Sequence, residues 1–264
     1  MNIFFRELKA NLKSLIIWAV IIILFTVVGY SKFSAYYNNP EMLAILKDFP
    51  PAMLSAFSLN AFNLTTITGF LGVMYIYFAL MLAIAAVMWG SDIISKEERD
   101  KTVEFSLTLP VRREKLITAK TIAALINCIG LLLITTTITI ISAQNYKPDK
   151  EFYRFLFLIM ITIFIIQMIF LAVGVFLGCA IKQYRRSSSL AVSLLLVTYF
   201  FSVISGLSKK VEFLKYFSPF KYFDPATMLQ QSKIDLSYVG LSIGIIAVCL
   251  VAAYFTYSKR DLYI

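Results

Sequence analysis

Few side chains in this sequence can make or break bonds. It contains no histidine, and its three cysteines, Cys128, Cys179 and Cys249, stand inside apolar runs, where a thiol behaves as a small hydrophobe. It has no His-Glu-x-x-His, no cysteine–histidine cluster and no paired carboxylates in an apolar span, so the usual enzyme signatures are missing. The phosphate-cradling pattern Gly-x-x-x-x-Gly-Lys-[Ser/Thr] is missing too. If ATP drives this protein, another polypeptide binds it. What the sequence does contain is one concentration of charge. Of its 25 Lys and Arg and 15 Asp and Glu residues, 13 fall between Asp92 and Lys120.

That segment changes character along its length. It is charged from Lys96 through Glu97, Glu98 and Arg99 to Lys101. Thr102 can then cap a short helix carrying Val103, Phe105, Leu107 and Leu109 beside Glu104. Pro110 stops that helix, and Arg112, Arg113, Lys115 and Lys120 lead into the next apolar run. A solvated loop accounts for the basic residues. It accounts less well for four apolar side chains outside the membrane, whereas an amphipathic helix is a reasonable docking element for a partner protein. On the residues alone the two readings stand level.

The elements that must position this segment are apolar. Apolar residues make up 59% of the chain and charged residues 15%, against nearer half and a quarter in soluble domains. Apolar stretches at 15–30, 64–90, 118–142, 155–181, 188–207 and 237–257 approach or exceed the roughly 17–25 residues that cross a hydrocarbon core as a helix. Only helices or closed barrels satisfy the backbone in lipid, and unbroken apolar runs select helices. We therefore expect an all-α integral membrane protein: a six-transmembrane-helix bundle forming a single permease domain over residues 1–264. Residues 1–14, with Phe4, Leu8 and Leu12 spaced by four and Arg6, Lys9 and Lys13 free to face water, suggest an N-terminal interfacial helix, or else a positive flank of the first span. With the N-terminus in the cytoplasm, 15 cations fall inside and 10 outside, which places both termini in the cytoplasm. The net charge of +10 is spread over short loops, so it marks topology and not a nucleic-acid surface.

Inside the spans no charge stands near mid-membrane. Asn127 and Gln167 are the most polar side chains at depth and are expected to hydrogen-bond between helices. Gly174-x-x-x-Gly178 and Gly240-x-x-x-Gly244 permit close helix approach. Asn39-Pro40 and Asp224-Pro225 pair a capping residue with proline at the first helical position, so short helices should start at Pro40 and Pro225. The run Phe213, Tyr216, Phe217, Phe220, Tyr222 and Phe223 suits an aromatic belt at headgroup level.

The charged segment resembles the cytoplasmic loop of the type-2 ABC exporter permeases. In that family an acidic cluster precedes Gly-Thr-Leu-Glu, an apolar pair, Leu-Pro with a basic residue, and a Gly-Lys. The matches are Glu97, Glu98, Thr102, Glu104, Leu107, Leu109, Pro110, Arg112 or Arg113, and Lys120. Lys101 and Ala119 stand where the family has glycine. The opening Phe5-Arg-Glu-Leu-Lys9, the outer Ser218-Pro-Phe-Lys-Tyr-Phe-Asp224 and the ending Tyr257-Ser-Lys-Arg-Asp-Leu262 are similar to family segments in the same order. The resemblance implies a permease subunit of a bacterial plasma membrane, itself not an enzyme. It implies a second permease chain, identical or paralogous, and two cytoplasmic ABC ATPase subunits that hold ATP and Mg. The coupling helix at 102–109, with Glu97, Glu98, Val103, Phe105, Arg112 and Arg113, would meet the ATPase. Cargo would be amphipathic or apolar: a drug, peptide antibiotic or lipid. An ATP-independent carrier or scramblase, and a non-transporting scaffold or sensor subunit, are the competing expectations.

Overall fold

The computed structural model describes residues 3–39, 62–99, 113–181, 183–207 and 209–259. Seven α-helices occur among them: α1 Ile3–Phe33, α2 Ile67–Arg99, α3 Arg113–Ala143, α4 Lys150–Ala180, α5 Tyr184–Ser205, the short α6 Pro225–Gln231 and α7 Leu236–Ser258. All but α6 are long and apolar enough to cross a membrane.

Helix boundaries follow local chemistry. The tight α3–α4 turn passes through Lys147 in the left-handed region (φ 50°). Asp149 then starts α4 by accepting a hydrogen bond from Phe152 N at 2.9 Å. Asp224 caps α6 through Thr227 N at 3.1 Å, with Pro225 at the first helical position. Asp235 caps α7 through Ser237 N at 2.9 Å. The helix expected at Pro40 lies outside the described residues, as does the coupling helix at 102–109.

Residues 3–14 are helical and form the first turns of α1, which runs unbroken for 31 residues; of the two readings of this segment, the structure shows the one in which it flanks the first span. No proline or glycine interrupts the chain between Ile3 and Val28, so nothing ends the helix where it leaves the apolar run. At 1.5 Å per residue α1 is about 46 Å long, more than a hydrocarbon core of about 30 Å requires.

The core is the α2–α4 pair. Their most apolar stretches are mostly buried, whereas those of α1, α5 and α7 are little buried. Packing is most extensive between α2 and α4; α1 lies mainly on α3, α5 mainly on α2, and α7 mainly on α4. Ala79, Leu82, Ala83, Ala85, Ala86 and Val87 of α2 are fully inaccessible, and small residues there let the backbones approach. Gly90 meets Gly174, and Gly178 meets Ser91, where the two helices cross closely. A Cβ on Gly174 would lie 2.5 Å from Val87 O, and one on Gly178 would lie 2.8 Å from Ser91 O. Gly240 and Gly244, with the same spacing, have no atom within 4 Å of such a Cβ.

Polar groups at depth are mostly satisfied within their own helix. Thr26, Thr135 and Thr139 each donate to the carbonyl four residues earlier at 2.7–2.8 Å. Gln167 Nε2 reaches from α4 to the Cys128 carbonyl of α3 at 3.5 Å, the interhelical contact expected of it. Asn127 is buried on α3, but its amide nitrogen has no hydrogen-bond partner among the described residues.

Candidate coupling site at the charged end of the bundle

Residues 100–112 join the C-terminus of α2 to the N-terminus of α3, so whatever acts on that segment acts on these two helix ends. Lys120 stands two turns into α3 and is only 2% exposed. Its ammonium donates to the Ile93 carbonyl of α2 at 2.7 Å and lies 3.6 Å from Glu7 Oε1 of α1. A buried ammonium is costly unless its donors are met. Here a carbonyl and a carboxylate from two other helices meet them, so three helices are pinned at one atom.

The same end carries four more polar ties. Trp89 Nε1 of α2 donates to Ser14 Oγ of α1 at 2.9 Å. Ser91 Oγ of α2 donates to Ser188 Oγ of α5 at 3.0 Å, and Ser188 donates on to Asp92 Oδ1 at 3.0 Å. The Thr118 and Tyr254 hydroxyls join α3 to α7 at 2.7 Å. The Arg113 guanidinium lies over the Tyr257 ring at 5.9 Å and donates to the Tyr257 carbonyl at 3.5 Å. Beneath these ties lies the glycine crossing of α2 and α4. Together these contacts join the roots of α2 and α3 to α1, α5 and α7.

Of the residues expected from the sequence, Glu97 and Glu98 fall in the last turns of α2, and their side chains are outside the described set. Thr102, Val103, Glu104, Phe105, Leu107, Leu109, Pro110 and Arg112 lie outside the described residues. Arg113 opens α3 and faces α7 through Tyr257. From the sequence, Lys120 reads as an inner-side cation and as the lysine of the Gly-Lys that the family shows. Its partnership with Glu7 is not legible there because no spacing rule links residues in the first and third spans. The one available hint was that both lie in segments similar to those of one family.

At the other end the aromatic run splits in two. Phe213, Tyr216 and Phe217 are exposed, as a belt requires, whereas Phe220, Tyr222 and Phe223 are buried. Phe220 stacks on Phe170 with centroids 5.2 Å apart and meets the Tyr199 ring edge-on at 5.7 Å, plugging α4 and α5 together. Among the described residues no three His, Cys, Asp or Glu side chains converge as metal ligands.

The sequence matches the model of the ABC-2 family transporter proteins over residues 1–262. No curated protein matches it. The family match takes in both the pinned helix roots and the segment between them, so this chain belongs to the ABC-2 transporter family, as a multi-pass membrane permease that is not itself catalytic.

Proposed function

We propose that this permease is the membrane half of an ATP-driven exporter. Two permease chains, this one twice or with a paralogue, rest on two cytoplasmic ABC ATPase subunits that hold ATP and Mg. Residues 102–109 dock on the ATPase through Phe105, Leu107 and Leu109, with Glu104 and Pro110 in the contact and Glu97, Glu98, Thr102, Val103, Arg112 and Arg113 around it. ATP binding moves that segment, and the bundle changes between two packings.

The observation that carries this reading is the three-helix pin at Lys120. A docking segment transmits force only if its root is stiff, and a merely solvated loop needs no such root. The inner-side excess of cations supports a plasma-membrane protein with cytoplasmic termini. The lack of charge at mid-span supports an amphipathic or apolar cargo, because ion-coupled carriers need intramembrane carboxylates.

The test replaces Phe105 or Leu107 with aspartate and measures co-purification of a co-expressed ABC ATPase, together with ATP-dependent cargo movement in vesicles. Both should be lost while the permease still assembles in the membrane. Unchanged co-purification and transport sink the reading, and cargo movement by this chain alone transfers it to an ATP-independent carrier.

A further inference from the structure

The end of the bundle opposite the charged segment carries a cavity of about 650 Å³, within the range of about 300–1,000 Å³ typical of ligand pockets. It is formed where residues 206–235 fold between α5 and α7. Six charged side chains line it: Glu212, Lys215, Lys221, Asp224, Lys233 and Asp235.

Hydrogen bonding sorts them. Lys215 donates to Glu212 Oε1 at 2.8 Å, a bond that raises the lysine pKa and engages both groups. Asp224 accepts from the Thr227 amide and hydroxyl at 3.1 and 2.7 Å. Asp235 accepts from Ser237 N. One oxygen of each of the three carboxylates is therefore engaged by the chain's own donors. The Lys221 and Lys233 ammonium groups have no hydrogen bond, ion pair or ring contact among the described residues. An ammonium offers three donors and no acceptor, so these two lysines can donate to the oxygens of a ligand.

Two further observations set the depth and the shape of a ligand. The segment that supplies Glu212 and Lys215 also carries Phe213, Tyr216 and Phe217, which are 56–63% exposed. Such aromatics sit at the headgroup level of a bilayer. Tyr222 and Tyr238 also line the cavity, stacked at 5.2 Å and 14°, and give it a flat apolar side beside the lysines.

We infer that this cavity binds a phosphate ester at headgroup depth, with Lys221 and Lys233 donating to its oxygens and the Tyr222–Tyr238 pair flanking the adjoining apolar part. The site stands on the cavity alone and does not depend on the ATPase reading.

The experiment uses the full-length permease, purified and delipidated, without ATPase. It is titrated with phosphatidylglycerol, with diacylglycerol of the same acyl chains, and with inorganic phosphate, and bound species are counted by native mass spectrometry. Saturable binding of phosphatidylglycerol over diacylglycerol is expected. Lys221→Gln with Lys233→Gln should weaken it roughly tenfold or more, while Lys221→Arg with Lys233→Arg retains it. Lys147→Gln with Lys150→Gln, a charge-matched change at the same end, should leave it intact. Lysine-dependent binding of inorganic phosphate assigns the site to soluble phosphate esters, and its absence beside lipid binding assigns it to lipid headgroups. Equal weakening by the two glutamine pairs, equal binding of diacylglycerol, or failure of the arginine pair in a monodisperse protein overturns the inference.

Discussion

Replacing Gly174 with alanine tests the packing on which the bundle depends. A Cβ there would lie 2.5 Å from Val87 O, 3.0 Å from Ser91 N and 3.1 Å from the Gly90 Cα. Carbon–oxygen contacts are ordinarily about 3.3–3.6 Å, so α2 and α4 must part or slide by roughly 0.8 Å. The obstructing atoms are backbone, and no side chain can rotate out of the way. A gap of about 0.5–1 Å forfeits a quarter to a half of each dispersion contact, and overpacking typically costs about 1–3 kcal/mol. The rigid backbone on both sides puts Gly174→Ala in the upper part of that range, roughly 2–3 kcal/mol. In heat-challenge size-exclusion chromatography this is a fall of about 5–10 °C in the midpoint. Gly130→Ala and Gly244→Ala are the controls, because nothing lies within 4 Å of either added Cβ; alanine's better helix propensity should leave them unchanged or slightly more stable. If Gly174→Ala melts with the wild type, or with Gly130→Ala, the close crossing is not what holds α2 to α4.

Two further substitutions address the ends of the bundle. Lys120→Met strips a donor from the Ile93 carbonyl and a counter-charge from Glu7. Breaking a buried pair costs about 3–5 kcal/mol, and since the Glu7 side chain retains 11% exposure the lower end is expected. Adding Glu7→Gln should restore part of the loss, and strict additivity of the two thermal shifts would show that the pair is uncoupled. Phe220→Ala empties a site that is 2% exposed between Phe170 and Tyr199, with an expected loss of about 3–5 kcal/mol; a melting midpoint unmoved by it would mean that the aromatic plug carries no load.

Much of this molecule is legible without coordinates. Six helices follow from the length and apolarity of six stretches, because transfer into lipid is summed residue by residue along the chain. The start of α6 follows from Asp224-Pro225, because a cap is a contact between near neighbours. The segment from Lys96 to Arg112 stands out by charge alone. The N-terminal segment read equally as an interfacial helix or as a flank of the first span, and the structure runs it continuously into α1 because no residue there breaks a helix.

What the tertiary structure decided is which residues distant along the chain meet. Two Gly-x-x-x-Gly motifs are equivalent as text, yet a Cβ added at Gly174 or Gly178 meets α2, whereas one added at Gly240 or Gly244 meets nothing among the described residues. An aromatic run that reads as one belt divides into three exposed rings and three buried ones; Phe220 reaches α4 and α5, and Tyr222 reaches α7. Lys120 and Glu7 read as two ordinary flanking charges, and become the pin of three helices only when α1, α2 and α3 converge. Composition and spacing record what each residue prefers to leave or enter. They do not record which partner waits there, and for buried charge and for glycine against backbone that partner decides the energy.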